Sequence, residues 1–261
     1  MQKLKTLLVA VFLIGFFATG NSAGSYQREE PFILFTIPKS GTTMAQKYFS
    51  LIEDTLDAFD LCVSTQHFNL PFSSYSEDQM DYIYVMKKVV LIRDLRDVFC
   101  SLADMLDKSL DRDPWVIFTR KEKIKKLIGF APPIPRDLLQ NDYANTWCNT
   151  MRSAITAAVE ILSIPNTCVI RYEMLVGPKG GIATESEMHQ EMKKINDFLG
   201  VTLSDEKYSY VKDQLFGGSS TFNKGKVGPW KREFDEELKN LFKLKYGQEL
   251  IDLGYEENFD W

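Results

Sequence analysis

Phe32-Ile33-Leu34-Phe35-Thr36-Ile37-Pro38-Lys39-Ser40-Gly41-Thr42-Thr43 (FILFTIPKSGTT) is the stretch on which the reading of this chain turns. Phe32 to Ile37 is a short apolar, β-prone run, the pattern of a strand buried on both faces. Pro38 to Thr43 reads as a turn, and Met44 to Leu56 carries helical spacing. A strand, a tight turn and a helix make an anion site by physics alone. The N–H groups of a helix start have no intrahelical partner, and the helix dipole is positive there. Gly41 lets the backbone approach closely. Ser40, Thr42 and Thr43 add hydroxyl donors, and Lys39 adds a full positive charge. The turn is not the Walker pattern, because no Gly-Lys-Ser/Thr follows a glycine-spaced loop. Taken alone, it also reads as a plain strand-to-helix turn capped by a Ser or Thr.

Outward from this unit, Lys88 to Arg93 (KVVLIR) reads as a second buried strand. A helix through Val98, Leu102, Met105 and Leu106 follows. Residues 110–137, with Pro132, Pro133 and Pro135, read as an irregular insertion. Leu139 to Leu162 is the strongest helix, with Tyr143, Trp147, Met151, Ile155 and Val159 stacked at i+4. Thr167 to Arg171 (TCVIR) is a third strand. A loop at Gly177 to Gly181 leads to Thr184, whose spacing to Glu187 suits a capping box. Met188, Met192, Ile195 and Leu199 then mark a helix ended by Gly200. Buried strands alternating with long helices predict a three-layer α/β/α fold around a parallel sheet. No linker interrupts the pattern, so residues 30–256 read as one domain.

Composition bounds the function. The 261 residues carry 31 Lys plus Arg against 36 Asp plus Glu, a net charge of −5. That balance argues against nucleic acid as the partner, where a basic excess is expected. Four cysteines without a CxxC pair, and only two histidines, argue against a disulfide scaffold and a metal site. Cys62, Cys100, Cys148 and Cys168 are left as thiols that an oxidising compartment could pair. Residues 1–23 differ from everything after them. Lys3 and Lys5 precede an apolar run from Thr6 to Ala18, followed by small residues up to Ala23. The run is short for a membrane span, which needs about 20 residues, and suits a secretory signal peptide. An uncleaved signal anchor is the alternative, and membrane contact is expected only in that case.

Four elements, in order over residues 33–231, resemble the sulfotransferases that use 3′-phosphoadenosine 5′-phosphosulfate (PAPS). The first is Pro38-Lys39-Ser40-Gly41-Thr42-Thr43, matching the family's loop for the 5′-phosphosulfate. The second is the strand ending at Arg93, with Ser101 eight residues later; in the family this pair grips the 3′-phosphate. The third is Tyr172-Glu173 after the next strand, with the tyrosine implied to lie near the adenine. The fourth is Asn223-Lys224-Gly225-Lys226-Val227-Gly228-Pro229-Trp230-Lys231, similar to an R-K-G-x-x-G-x-W-K loop that closes over the nucleotide. Asn223 stands in place of that loop's arginine. Met44 stands where many cytosolic members have an adenine-stacking Trp, so stacking must come from elsewhere or be weaker.

The resemblance implies a P-loop-like sulfotransferase fold, PAPS as cosubstrate, no metal, and sulfuryl transfer to a hydroxyl acceptor. It implies nucleotide contacts from Lys39, Ser40, Gly41, Thr42, Thr43, Arg93, Ser101, Tyr172, Lys224 and Gly225. Lys39 would stabilise the bridging oxygen as its bond to sulfur breaks. His67, in Ser64-Thr65-Gln66-His67-Phe68-Asn69-Leu70-Pro71, resembles the Thr-His-Leu-Pro segment that carries the family's catalytic base. It is expected in a loop between the first helix and the second strand. An acidic residue is the alternative base, and His189 reads as a surface residue on its helix. Residues 57–87 and 110–137 are the expected acceptor walls, and the acceptor is left open among a small molecule, a glycan and a protein tyrosine. Two rivals stay in view: a P-loop-type nucleotide kinase, and a non-catalytic module that binds the nucleotide without turnover.

Overall fold

The computed structural model describes residues 32–56, 63–68, 70–109, 114–130, 143–217 and 225–261. Four strands, β1 (Phe32–Thr36), β2 (Val63–His67), β3 (Lys87–Ile92) and β4 (Thr167–Arg171), form one sheet in the order β2-β1-β3-β4. Every pairing is parallel. Period-two alternation sends the strand side chains to two separate cores. Ile33, Phe35, Val90 and Ile92 face one side, while Phe32, Leu34, Val89, Leu91 and Ile170 face the other.

Helices cover both cores. Helix α1 (Thr42–Thr55) follows β1, α2 (Glu77–Val85) precedes β3, and α3 (Leu95–Ser109) follows it. Then come α4 (Arg120–Leu127), α5 (Tyr143–Glu160), the single turn α6 (Tyr172–Leu175), α7 (Glu185–Leu199) and α8 (Asp205–Leu215). A second single turn, α9 (Trp230–Glu233), and α10 (Glu236–Asp252) complete the chain. On the Ile33 side lie α3, α5 and α10, through residues such as Val98, Ile155 and Phe242. On the Phe32 side lie α1, α7 and α8, through Tyr48, Met192 and Val211. The result is the three-layer α/β/α arrangement that the strand and helix patterns predict. The Thr184–Glu187 capping box starts α7, and Gly200 at φ 81° ends it.

Several local expectations are corrected. His67 is the last residue of β2, an edge strand, and does not sit in a loop. Val-Ser-Thr-Gln-His shows neither an apolar run nor clean alternation, because an edge strand has one neighbour and needs less buried surface. The 110–137 segment is not wholly irregular: a 3₁₀ turn at Pro114–Ile117 is followed by α4. The charged run Arg-Lys-Glu-Lys-Ile-Lys-Lys-Leu hides its helix, yet Thr119 and Glu122 box its start, and Ile124 and Leu127 are buried. The long central helix ends at Glu160, and Ile161–Ser163 tighten into a 3₁₀ turn. Cys100, Cys148 and Cys168 are buried and form no disulfide among the described residues, and burial raises the pKa of Cys168 to about 11. Residues 1–23, Cys62, Asn223 and Lys224 lie outside the described residues.

Candidate active site

Neighbouring strands β1 and β3 send their following helices to opposite faces of the sheet, α1 to one and α3 to the other. Loops that part in this way leave a crevice at the carboxyl edge, the usual ligand position of an open parallel sheet. A cavity of about 310 Å³ opens there. The turn after β1 lines it with Lys39, Gly41, Thr42 and Thr43, and the end of β2 with His67. Arg93 follows β3, and Asp97, Ser101 and Asp104 come from one face of α3, at helical spacing. Tyr172, Gly225, Lys226, Pro229 and Arg232 close the remaining sides.

The turn presents polar groups that its own folding leaves unpaired. Ser40 N–H donates to Ile37 O at 3.0 Å and closes it. Lys39 takes φ 70° and Gly41 φ 107°. Gly41 is required twice over, since a Cβ there would meet Tyr172 Cδ2 at 2.4 Å. Gly41 is also the N-cap of α1, and no side chain caps that helix. Its positive end is therefore presented to the cavity. Ser40 Oγ is buried with no hydrogen-bond partner, a state that costs about 1–3 kcal/mol until a partner arrives. The Lys39 ammonium is held below its ordinary pKa, first by burial and then by Arg93 and Lys108, with Asp104 acting in the opposite sense. An incoming anion relieves that strain directly.

Arg93 joins three segments of the site. Its Nη1 donates to Lys39 O at 3.2 Å and its Nη2 to Lys226 O at 3.3 Å. The guanidinium carbon lies 4.3 Å from the Tyr172 ring centroid, while Nε is buried without a partner. One turn along α3, the Asp97 carboxylate accepts from Gly228 N–H at 2.7 Å and from Trp230 N–H at 3.2 Å. The segment 225–233 is thereby pinned over the crevice. Burial raises the Asp97 pKa, against the opposing pull of Arg93 and the Gly228 N–H. Trp230 is held from behind by Arg96, whose guanidinium carbon lies 3.7 Å from one of its ring centroids and 4.4 Å from Trp261. Asp94 and Glu256 fix Arg96 in turn, at 2.8 and 2.6 Å.

His67 enters the cavity from β2 and is tied to the turn. His67 Nδ1 lies 2.9 Å from Thr36 Oγ1, and Thr42 Oγ1 donates to that same oxygen at 2.9 Å. Asp104 and Glu233, which line the cavity with Asp97, both pair with Arg120, at 2.9 and 2.8 Å. His189 is exposed on α7 against the Tyr208 ring, 4.6 Å between centroids. Among the described residues, no three His, Cys, Asp or Glu side chains gather as metal ligands would.

Of the residues picked out in the sequence, Lys39, Gly41, Thr42, Thr43, His67, Arg93, Ser101, Tyr172 and Gly225 line this one cavity. Ser40 is buried in the turn, and Lys224 is outside the described residues. Tyr172 packs beneath the turn, between Gly41 and Arg93. Sequence reading missed the apolar end of the cavity, formed by Val176, Leu215 and Phe216 beside Met44. It also missed Lys47, which reaches Gly217 O at 3.0 Å. Leu215 and Phe216 close α8, a helix whose period is blurred by charged residues, so only their burial in three dimensions reveals them.

No family model matches the chain, and no curated protein matches it. Solved structures do. Mouse sulfotransferase SULT7A1 complexed with PAP superposes with a TM-score of 0.59 at 15% identity, over 85% of each chain. Retinol dehydratase in complex with androsterone and the inactive cofactor PAP gives 0.51 at 17% identity, over 84% of this chain and 80% of that one. The chain has the α/β fold of these proteins.

Proposed function

We propose that this protein is a PAPS-dependent sulfotransferase that moves the sulfuryl group to a hydroxyl acceptor. The observation that carries the reading is the convergence of Lys39, the uncapped α1 terminus, Arg93, Ser101 and the Gly225–Gly228 segment on one cavity. Two buried donors without partners, Ser40 Oγ and Arg93 Nε, fit a doubly phosphorylated ligand. The two matching structures named above were both solved with PAP, the 3′,5′-bisphosphate product. In this assignment, the turn 38–43 holds the 5′ end and Arg93, Ser101 and Gly225 hold the 3′-phosphate. Lys224 is assigned beside them by resemblance alone. The apolar end, with Phe216, takes the adenine and supplies the aromatic wall that Met44 does not.

The chemistry follows from charge placement. The acceptor oxygen bonds to sulfur, the bridging S–O bond breaks, and its electron pair goes to the 5′-phosphate oxygen. Lys39 and the α1 terminus stabilise that charge, the kind of fixed electrostatics that dominates such transfers. His67 takes the acceptor proton, a role for which an imidazole is suited near neutral pH. The kinase reading lacks a Walker lysine. Met44 and Asn223 are the departures that would favour a non-catalytic module, and Phe216 offsets the first of these. Export through residues 1–23 into a PAPS-supplied lumen, or anchoring there, belongs to the same proposal, with residues 30–256 as the sulfotransferase domain.

The test is transfer from labelled PAPS to a panel of phenols, glycans and tyrosine peptides. Label should move to at least one class and be lost in Lys39→Ala. Tight PAP binding with no transfer to any class would favour the non-catalytic module.

A further inference from the structure

We propose that Thr36 is a positioning residue that turns His67 into a base only when an anion occupies the 38–43 turn; this rests on the sulfotransferase reading above. Thr36 and His67 end β1 and β2 and stand opposite each other in register. Thr36 is fully buried, and its carbonyl accepts from Phe68 N–H at 3.1 Å, so neither strand end can slide. With Nδ1 engaged by Thr36 at 2.9 Å, Nε2 is the ring nitrogen left to meet an acceptor in the cavity.

A neutral imidazole has one N–H and one lone pair, so the direction of the bond at Nδ1 fixes the state of Nε2. When the Thr36 hydroxyl donates to Nδ1, the proton sits on Nε2, and that nitrogen cannot accept another. When Nδ1–H donates to Thr36 Oγ1, the Nε2 lone pair is free and the ring is a base. The Thr42 hydroxyl selects between these states. In the structure it donates to Thr36 Oγ1 at 2.9 Å. That oxygen has a second lone pair, but if Nδ1–H filled it the buried Thr36 proton would face no acceptor, a destabilising state. Pairing that proton directs it towards Nδ1. Thr42 also begins α1 and lines the cavity. A phosphate or sulfate oxygen there is a charged acceptor, and bonds to it are roughly twice as strong as neutral ones.

Once Thr42 turns its proton to the anion, the whole chain reverses. Nδ1–H then donates to Thr36, Thr36 to Thr42, and Thr42 to the anion. The proton moves from Nε2 to Nδ1 through water, which His67 meets at the cavity mouth, where it is exposed. The same direction suits the imidazolium formed during transfer, because both its nitrogens are donors. Thr36 thus couples occupancy of the cosubstrate site to readiness of the base.

The experiment is ¹⁵N NMR of the histidine rings with and without PAP, assigned by comparison with His189→Gln. PAP should move the His67 proton from Nε2 to Nδ1 in the wild type and in Thr36→Ser. Thr36→Val should abolish the movement, leave PAP affinity unchanged and lower kcat about tenfold, on the order of one hydrogen bond. Should Thr36→Val not fold, the wild-type spectra decide alone. PAP binding with the Nε2 proton unmoved, or a Thr36→Val protein with the wild-type response, overturns the role of Thr36 while the sulfotransferase reading stands. Absence of PAP binding overturns that reading, and the coupling with it.

Discussion

Gly41→Ala should damage both stability and nucleotide binding, and its cost divides into two parts. The first is conformational. At φ 107° an L side chain is in a region it rarely adopts, which costs about 1–3 kcal/mol. The second is steric. The new methyl would lie 2.4 Å from Tyr172 Cδ2 and 2.8 Å from Cε2, so the ring must retreat by roughly 1 Å to reach ordinary contact. It cannot retreat freely, because Arg93 lies 4.3 Å from its centroid and bonds to Lys39 O and Lys226 O. Overpacking of this kind costs about 1–3 kcal/mol, for a total of roughly 2–6 kcal/mol. Gly181→Ala is the control, since Gly181 has φ 101° but nothing within 4 Å of its Cβ position. Urea unfolding of both variants separates the parts, and PAP titration shows whether Arg93 has moved. If Gly41→Ala is no less stable than Gly181→Ala and binds PAP as the wild type does, the Gly41–Tyr172–Arg93 packing is not what holds the site.

Asp97→Ala removes the acceptor of Gly228 N–H and Trp230 N–H. The loss should weaken PAP binding by about 1.5–3 kcal/mol, or about tenfold to a hundredfold, by calorimetry. His67→Ala should leave PAP affinity intact and lower turnover by about 10²–10⁴, and wild-type turnover in that variant would move the base to an acidic residue. Lys39 starts below its ordinary pKa, and a bound anion raises it. In the window between the lowered and ordinary values PAP binding should therefore take up protons, and affinity should fall as pH rises, as calorimetry in buffers of different ionisation enthalpy would show. Without ligand the unfolded chain holds more protons in that window, so Lys39 makes stability rise with pH there.

How far the sequence could be read depended on how strongly each element needed burial. The runs Phe32–Thr36 and Val89–Ile92 are buried strands whose composition marks them, and Thr167–Arg171 is a half-buried strand whose apolar residues Cys168 and Ile170 face the core. The Thr184–Glu187 box and Gly200 mark α7 at both ends. The turn 38–43 was legible because a tight strand-to-helix turn needs particular residue types at fixed spacing, Gly41 at φ 107° among them. β2 was not, since a polar edge strand pairs through its backbone and leaves little side-chain signal. The helix α4 was hidden by its charged residues, which leave only Ile124 and Leu127 as apolar positions in eight. Phe216, Leu215 and Val176 line the cavity by tertiary approach of α8 and the segment after α6, a proximity without a local pattern. The Asp97 latch spans 131 residues of chain. In sequence Asp97 reads only as part of a charged cluster with Asp94 and Arg96.

The central claim is that the crevice between β1 and β3 is shaped for a nucleotide carrying a 3′-phosphate. Side-by-side calorimetric titration of the protein with PAP and with ATP tests it most directly. The account predicts tighter binding of PAP, with Arg93→Met abolishing the preference because Arg93 and Ser101 are assigned to that phosphate. Equal or tighter binding of ATP would contradict it and return the site to the phosphotransferases.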